Sequence, residues 1–243
     1  TDGVQEVDFR GIDLSTLPPL KGVFDFSRDA VLRAVEQSLQ RLRLDKADIL
    51  LLHVVPPEHY QTAIDEGFPT LAELRSQGVV KAIGAGLTPL NLLLRFVREA
   101  DFDCFLVPNR YTLTEQTAIE EFLPICQERN ISIIIGAPYN NGRMLGRIAD
   151  HIDRVALGEQ TPEELAQIRS CQTICDRHEV PIRAAALQFV VAHPSVVSVL
   201  PGPASMEEMT DNIRMMQHSI PPDFWAEMVA EGVISSDCPL PVE

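Results

Sequence analysis

The sequence predicts an α/β fold of parallel strand–helix units, and three observations predict it. Short apolar runs alternate with helical stretches along most of the 243 residues. The runs are continuous rather than alternating, as in strands buried on both faces of a parallel sheet. Helix starts repeatedly carry a Ser or Thr cap, several with proline close behind.

In order, Ser27 caps a helix to about Arg43, with Val31, Val35, Leu39 and Leu42 on one stripe. The strand Asp48-Ile-Leu-Leu-Leu-His53 follows. Its one polar exit residue, His53, falls at a carboxyl end, where parallel sheets carry chemistry. His53 is therefore a candidate catalytic residue, and a core histidine is the alternative. A helical stretch around Leu71 and Leu74, a turn at Gln77-Gly78 and the apolar run Val79–Ala85 come next. Thr88-Pro89 reads as cap and first helical residue, with Leu92, Leu93, Phe96 and Val97 as the buried face. Cys104–Val107 is strand-like, and a helix is expected from Thr114 to about Arg129, broken or kinked at Pro124.

Ile131–Ile135 is a β-branched run and reads as a buried strand. Thr161-Pro162 opens a helix to about His178, and Pro181 another to about His193. Val196–Leu200 is the last strand, and Ser205 with Glu208 forms a capping box on a short final helix. Residues 136–160 form the longest irregular stretch and read as a functional lid. About five strands emerge, where a closed (β/α) barrel has eight. An open doubly wound sheet and part of a barrel both fit the periodicity.

The chain is expected to form one domain, with Thr1–Phe26 as an irregular linker. No apolar run approaches the roughly 20 residues that span a bilayer, and no leader pattern is seen. The first residue is Thr1, which points to a processed or cut start. The net charge of −15, without a basic run, argues against nucleic acid and anionic membranes as partners. Cys104, Cys126, Cys171, Cys175 and Cys238 form an odd set without a CxxC, which fits reduced thiols in a cytoplasmic protein.

The order of motifs adds more. Ser27–Leu42, Asp48–His53 and Leu71-Ala-Glu-Leu-Arg-Ser-Gln-Gly-Val-Val-Lys-Ala-Ile-Gly84 succeed one another. Then come Arg110-Tyr-Thr-Leu-Thr-Glu-Gln116, Leu123-Pro-Ile-Cys126, Asn140-Asn-Gly142, Val199-Leu-Pro-Gly202 and Asp211-Asn212. Together, from Phe24 to Met216, they resemble the aldo-keto reductase family, most closely its sugar and pyridoxal dehydrogenases. The resemblance implies a (β/α)8 TIM-type barrel with a nicotinamide cofactor across its carboxyl face. It makes Asp48–His53 the fourth strand and Val196–Leu200 the eighth. The first three strands, with the family's catalytic Asp, Tyr and Lys, are then absent. The expectation is a fragment of a longer protein, catalytically incomplete alone, with two unpaired sheet edges.

The resemblance also assigns a site. His53 would orient the carbonyl oxygen. Gly86-Leu87 replaces a Ser-Asn pair that meets the nicotinamide amide, so Gly86 keeps only backbone contact. Asn109 lies beside the position of a family glutamine. Gly136 takes the place of a stacking aromatic, for which Tyr139 is a substitute, with loop packing as the alternative. Asn140, Asn141 and Gly142 would offer backbone donors to the pyrophosphate. Gly202 and Glu208 fall where phosphate-selecting members carry a lysine and an arginine, beside Ser205 at a helix start. A carboxylate there repels a 2′-phosphate and can accept a bond from a free 2′-hydroxyl, so the cofactor is NAD or NADP with NAD favoured. Asp211 and Asn212 match adenine-side residues. His178 and His193 are expected to cap helix carbonyls. His59, His151 and His218 lack a constellation, and no metal site is expected.

The expected function is an NAD(P)-dependent oxidoreductase acting on a small polyol, sugar lactol or aldehyde. The alternatives are a non-enzymatic, cofactor-binding regulatory relative and an unrelated β/α enzyme with a phosphate ligand at Gly202–Ser205.

Overall fold

The computed structural model describes residues 23–146 and 160–241. Of the expected linker, residues 23–26 are irregular. Residues 147–159 of the expected lid, with His151, lie outside the described residues.

Among the described residues, five strands form one parallel sheet: β1 (Ile49–His53), β2 (Ala82–Gly86), β3 (Cys104–Pro108), β4 (Ser132–Gly136) and β5 (Val196–Leu200). Their spatial order is their chain order, β1-β2-β3-β4-β5, with every neighbouring pair parallel. Right-handed crossovers between strands that always step the same way leave every connecting helix on one face of the sheet. This is the winding of a barrel wall; a doubly wound sheet reverses direction partway.

The helices are α1 (Arg28–Leu42), the single turn α2 (Tyr60–Thr62), α3 (Phe68–Ser76), α4 (Leu90–Glu99) and α5 (Phe122–Glu128). After the undescribed stretch come α6 (Pro162–Arg177), α7 (Ile182–Val191), α8 (Met206–Met216) and α9 (Pro222–Ala230). A π-helical segment, Ala63–Gly67, joins α2 to α3.

The middle strands carry the core. Ile83, Phe105, Ile133 and Ile135 are fully buried, and α4 packs Leu92, Leu93, Phe96 and Val97 as its apolar spacing requires. Aromatic rings run through this layer from Tyr60 to Phe96, Phe102, Phe105 and Phe122, with centroids 4.7 to 5.7 Å apart, mostly edge to face. Gly84 lets β2 and β3 approach. A Cβ there would lie 2.2 Å from the Cys104 carbonyl oxygen.

The edge strands differ from expectation. Asp48–His53 reads as buried on both faces, yet in β1 only Leu52 is buried and Ile49 is exposed. β5 is similarly open. Each is an edge strand, so nothing covers its outer side among the described residues. An extra residue in β5, Val197, bulges outward where the register slips opposite Ile133 and Ile134.

Several element starts also shift. Pro89, not Thr88, is the cap of α4, and no side chain caps it. Ser27 sits at the cap of α1 without a side-chain cap bond; its N–H instead donates to Asp25 Oδ1 at 3.0 Å. Residues 112–115 form a tight turn closed by a Thr112–Glu115 bridge, and α5 begins only at Phe122. Pro124 does not break α5, because it falls in the first turn, where its missing N–H has no intrahelical partner to lose. The helix α9 went unpredicted; Phe224, Trp225 and Met228 bury its apolar face.

Candidate functional site

All five strands end along one rim. The register pairs His53 with Gly86, Pro108 with Gly136 and Gly136 with Leu200. The ladder runs one step further. Val54 N–H donates to Gly86 O at 2.8 Å, Leu87 N–H to Leu106 O at 3.3 Å and Ala137 N–H to Leu200 O at 3.2 Å. Val54, Asn109 and Ala137, each the first residue after a strand, are left-handed, with φ of 52°, 55° and 49°. Asparagine tolerates this state; a β-branched valine pays for it with strain.

His53 lines a cavity of about 300 Å³ with Gly86, Leu87, Thr88, Leu106 and Pro108. The walls are mainly apolar and His53 itself is exposed at the cavity mouth, where its imidazole N–H can donate to a carbonyl oxygen.

Thr88 also lines a second, polar cavity of about 410 Å³. This one brings together Asn109, Asn140 and Asn141 from the expected site, with Arg110, Thr114, Glu115 and Glu163. Arg110 Nε donates to Thr88 O at 3.0 Å, joining the two cavity rims. Asn109 Oδ1 and Thr114 Oγ1 are buried and without a hydrogen-bond partner among the described residues. The Arg110, Thr114 and Glu115 contributions were missed by sequence reasoning; Thr114 and Glu115 sit in a turn where a helix was expected.

Residues 137–142 turn tightly. Asn140 N–H donates to Ala137 O at 2.9 Å and Gly142 N–H to Tyr139 O at 3.1 Å. Those two amides, expected to face a pyrophosphate, are spent inside the turn. Asn140, Asn141 and Gly142 all have positive φ.

Tyr139 is buried, and its hydroxyl donates to Asn212 Oδ1 at 2.5 Å. Burial pushes its phenol far above the usual range. Of its two expected readings, packing of the loop against α8 is the one this contact matches. Beside Asn212, Asp211 pairs with Arg183 of α7 and with Arg214 at 3.0 Å. Arg183 was not foreseen, since nothing in a single sequence places α7 beside α8. Gly136 closes β4, and a Cβ there would make only ordinary 3.4 Å contacts.

Gly202 has a φ of 69° and open space around it. Ser205 Oγ accepts from Glu208 N–H at 3.1 Å, as the capping box predicts. The return bond is displaced: Glu208 Oε2 accepts from Ala204 N–H at 2.7 Å, one residue before the cap.

His178 and His193 are structural, but neither caps carbonyls through its ring. His178 Nε2 meets Glu227 Oε2 at 2.6 Å, joining α6 to α9. His193 Nδ1 accepts from Ser195 N–H at 3.2 Å, in the buried turn before β5. His59 packs near Phe24 and Phe26. All five cysteines are free and buried, and no metal-binding cluster occurs among the described residues.

A profile of the Aldo/keto reductase family matches residues 20–231. The chain is 34% identical over 222 residues to a pyridoxal 4-dehydrogenase of Microbacterium luteolum, covering 88% of this chain and 65% of that protein. It is 36% identical over 216 residues to a D-threo-aldose 1-dehydrogenase of Pseudomonas sp, again covering 88% and 65%. The chain thus spans just under two thirds of the length of these relatives. Among solved structures, the holo form of an aldo-keto reductase from Bacillus halodurans superposes with a TM-score of 0.68 at 20% identity, over 90% of this chain and 70% of that one. A glycerol dehydrogenase from Gluconobacter oxydans gives 0.67 at 19% identity, over 93% and 70%. Both show the fold.

Proposed function

Because the chain belongs to the aldo-keto reductase family, we propose that it is the cofactor-side part of an NAD(P)-dependent oxidoreductase. Its substrate class is a small aldehyde, sugar lactol or alcohol. The carrying observation is His53 at the carboxyl end of β1, lining a mainly apolar cavity beside Gly86. There an imidazole N–H holds and orients a carbonyl oxygen. The names of the relatives, a pyridoxal and an aldose dehydrogenase, support the substrate class.

In this reading the five strands are the fourth to eighth of a barrel. The stepwise order and the open outer sides of the edge strands support it, with Ile49 exposed in β1 and Val197 in β5. The remaining strands would bring the proton-donating Tyr with its Lys and Asp. The chain's three tyrosines, Tyr60, Tyr111 and Tyr139, are all buried away from the His53 cavity, and burial holds each phenol well above its ordinary range. None serves as the acid.

The residues on the rim fit a dinucleotide. The open space at the left-handed Gly202 and the orphaned Asn109 Oδ1 both suit one. Asn109 would meet the nicotinamide side, Asn141 the pyrophosphate, Gly202 and Ser205 the phosphates at the start of α8, and Asp211 the adenine side. Gly86, Gly136, Tyr139, Asn140, Gly142 and Asn212 shape the walls. When bound, the nicotinamide supplies or accepts the hydride. Glu208, held by Ala204 N–H, keeps a carboxylate where a 2′-phosphate would sit, which favours NAD.

The lack of a phenol at the His53 cavity equally favours a second reading: a nucleotide-binding regulatory protein without turnover. Fluorescence titration with NADH and NADPH, followed by turnover assays on the chain and on a longer protein with the preceding strands, tests both. We expect NADH to bind more tightly, no turnover by the chain alone, and turnover by the longer protein that His53→Ala lowers without changing NADH affinity. A tenfold preference for NADPH, about 1.4 kcal/mol, overturns the cofactor assignment. NADH binding with no turnover in the longer protein selects the regulatory reading.

A further inference from the structure

We propose that Gly86 is a positioning residue for His53, and that with the left-handed Val54 it fixes where the imidazole stands at the cavity. The proposal takes its functional meaning from the oxidoreductase reading, but its geometry stands without it.

His53 and Gly86 are register partners on adjacent strands. A Cβ on Gly86 would lie 3.0 Å from His53 Cδ2, 3.2 Å from Leu106 Cβ and 3.3 Å from Leu106 Cδ2. Carbon atoms prefer about 3.5–4.0 Å, so something must give. Leu106 Cβ is fixed by the β3 backbone, itself paired on both sides. The imidazole is the far end of a side chain that swings about two bonds. A methyl at position 86 therefore displaces His53 before it displaces the sheet.

Val54 closes the other side. Its positive φ reverses the chain immediately after His53, and its N–H ends the ladder on the carbonyl of the same glycine at 2.8 Å. The valine side chain is 51% exposed, so packing does not explain the strained backbone. The conformation holds the His53 Cα at the last ladder position, and the bare Gly86 Cα leaves room for the ring.

NMR of the histidine-labelled chain, without nucleotide, tests this. In the wild-type protein a nuclear Overhauser contact should join His53 Hδ2 to Gly86 Hα. G86A should shift the His53 ring signals while those of His178 and His193, set in other packing, stay in place. V54N keeps a residue that accepts the left-handed state, so it should leave the His53 signals unmoved and raise the thermal midpoint. Absence of the wild-type contact overturns the proposal. So does a G86A spectrum with His53 unmoved, or a V54N spectrum with His53 shifted as far as in G86A. If G86A does not fold, the wild-type contact decides. Nucleotide binding does not enter these spectra: a chain that binds no NADH yet shows the contact loses the oxidoreductase reading and keeps the positioning one.

Discussion

The Tyr139 hydroxyl donates a 2.5 Å hydrogen bond to Asn212 Oδ1, tying the turn after β4 to the second turn of α8. Both residues are buried, and the phenol, raised by burial, stays a donor throughout the working pH range. Tyr139→Phe leaves the amide oxygen unpaired, which costs about 1–3 kcal/mol. Urea unfolding of Y139F, N212A and the double variant should give a coupling of about 0.5–3 kcal/mol. Additive single effects would show that the contact contributes nothing beyond shape.

Two strand glycines should behave oppositely. A Cβ at Gly84 meets the Cys104 carbonyl oxygen at 2.2 Å, Leu51 Cδ2 at 2.8 Å and Cys104 Sγ at 2.9 Å. The carbonyl is backbone and cannot retreat without parting β2 from β3. Gly84→Ala should cost about 3 kcal/mol or more. Gly136→Ala, with contacts no closer than 3.4 Å, should stay within about 1 kcal/mol of wild type. Denaturant midpoints separate the two; equal losses would contradict the packing described.

His193 gives the stability a pH slope. Desolvation lowers its pKa in the folded chain, so the fold favours the neutral ring. Its contribution is therefore present above the unfolded value near 6.5. As pH falls below that, the unfolded chain takes up a proton that the folded chain resists, and stability is lost down to the folded pKa. Urea midpoints should drop between about pH 7 and 5.5, and His193→Asn should flatten that segment of the curve. A wild-type curve already flat there would mean that water reaches the ring.

Capping separates two helices that look alike in sequence. Thr161 Oγ1 accepts from Glu164 N–H at 3.2 Å and Glu164 Oε2 accepts from Thr161 N–H at 3.1 Å, a complete capping box on α6. Thr161→Ala should cost about 1 kcal/mol. Ser27 makes no cap bond to α1, so Ser27→Ala should change the unfolding free energy by no more than about 0.5 kcal/mol.

The strands, their order of appearance and the exit position of His53 were legible because a parallel strand announces itself as a short apolar run between capped helices. The α6 start was legible for the same local reason. What escaped was set by neighbours distant in sequence. The exposure of Ile49 and Val197 depends on β1 and β5 being edges, which no local pattern declares. The pairing of Tyr139 with Asn212, and of Asp211 with Arg183, needs β4, α7 and α8 already assembled. The turn at 112–115 reads as helical because Thr114, Glu115 and Gln116 suit a helix start; the bridge from Thr112 to Glu115 overrides them.

The thiols have a practical meaning of their own. Cys104 in β3, Cys126 in α5, the neighbouring pair Cys171 and Cys175 in α6, and Cys238 after α9 are all buried. Burial raises Cys104 and Cys238 to about 11 and Cys126 to about 12, and a hydrogen bond with Cys175, together with burial, raises Cys171. Thiolate is the reactive form, so a disulfide reagent at neutral pH must wait for each region to open. The order in which the five positions are tagged then maps local opening free energies across the sheet and its helices, with no label added to the sequence.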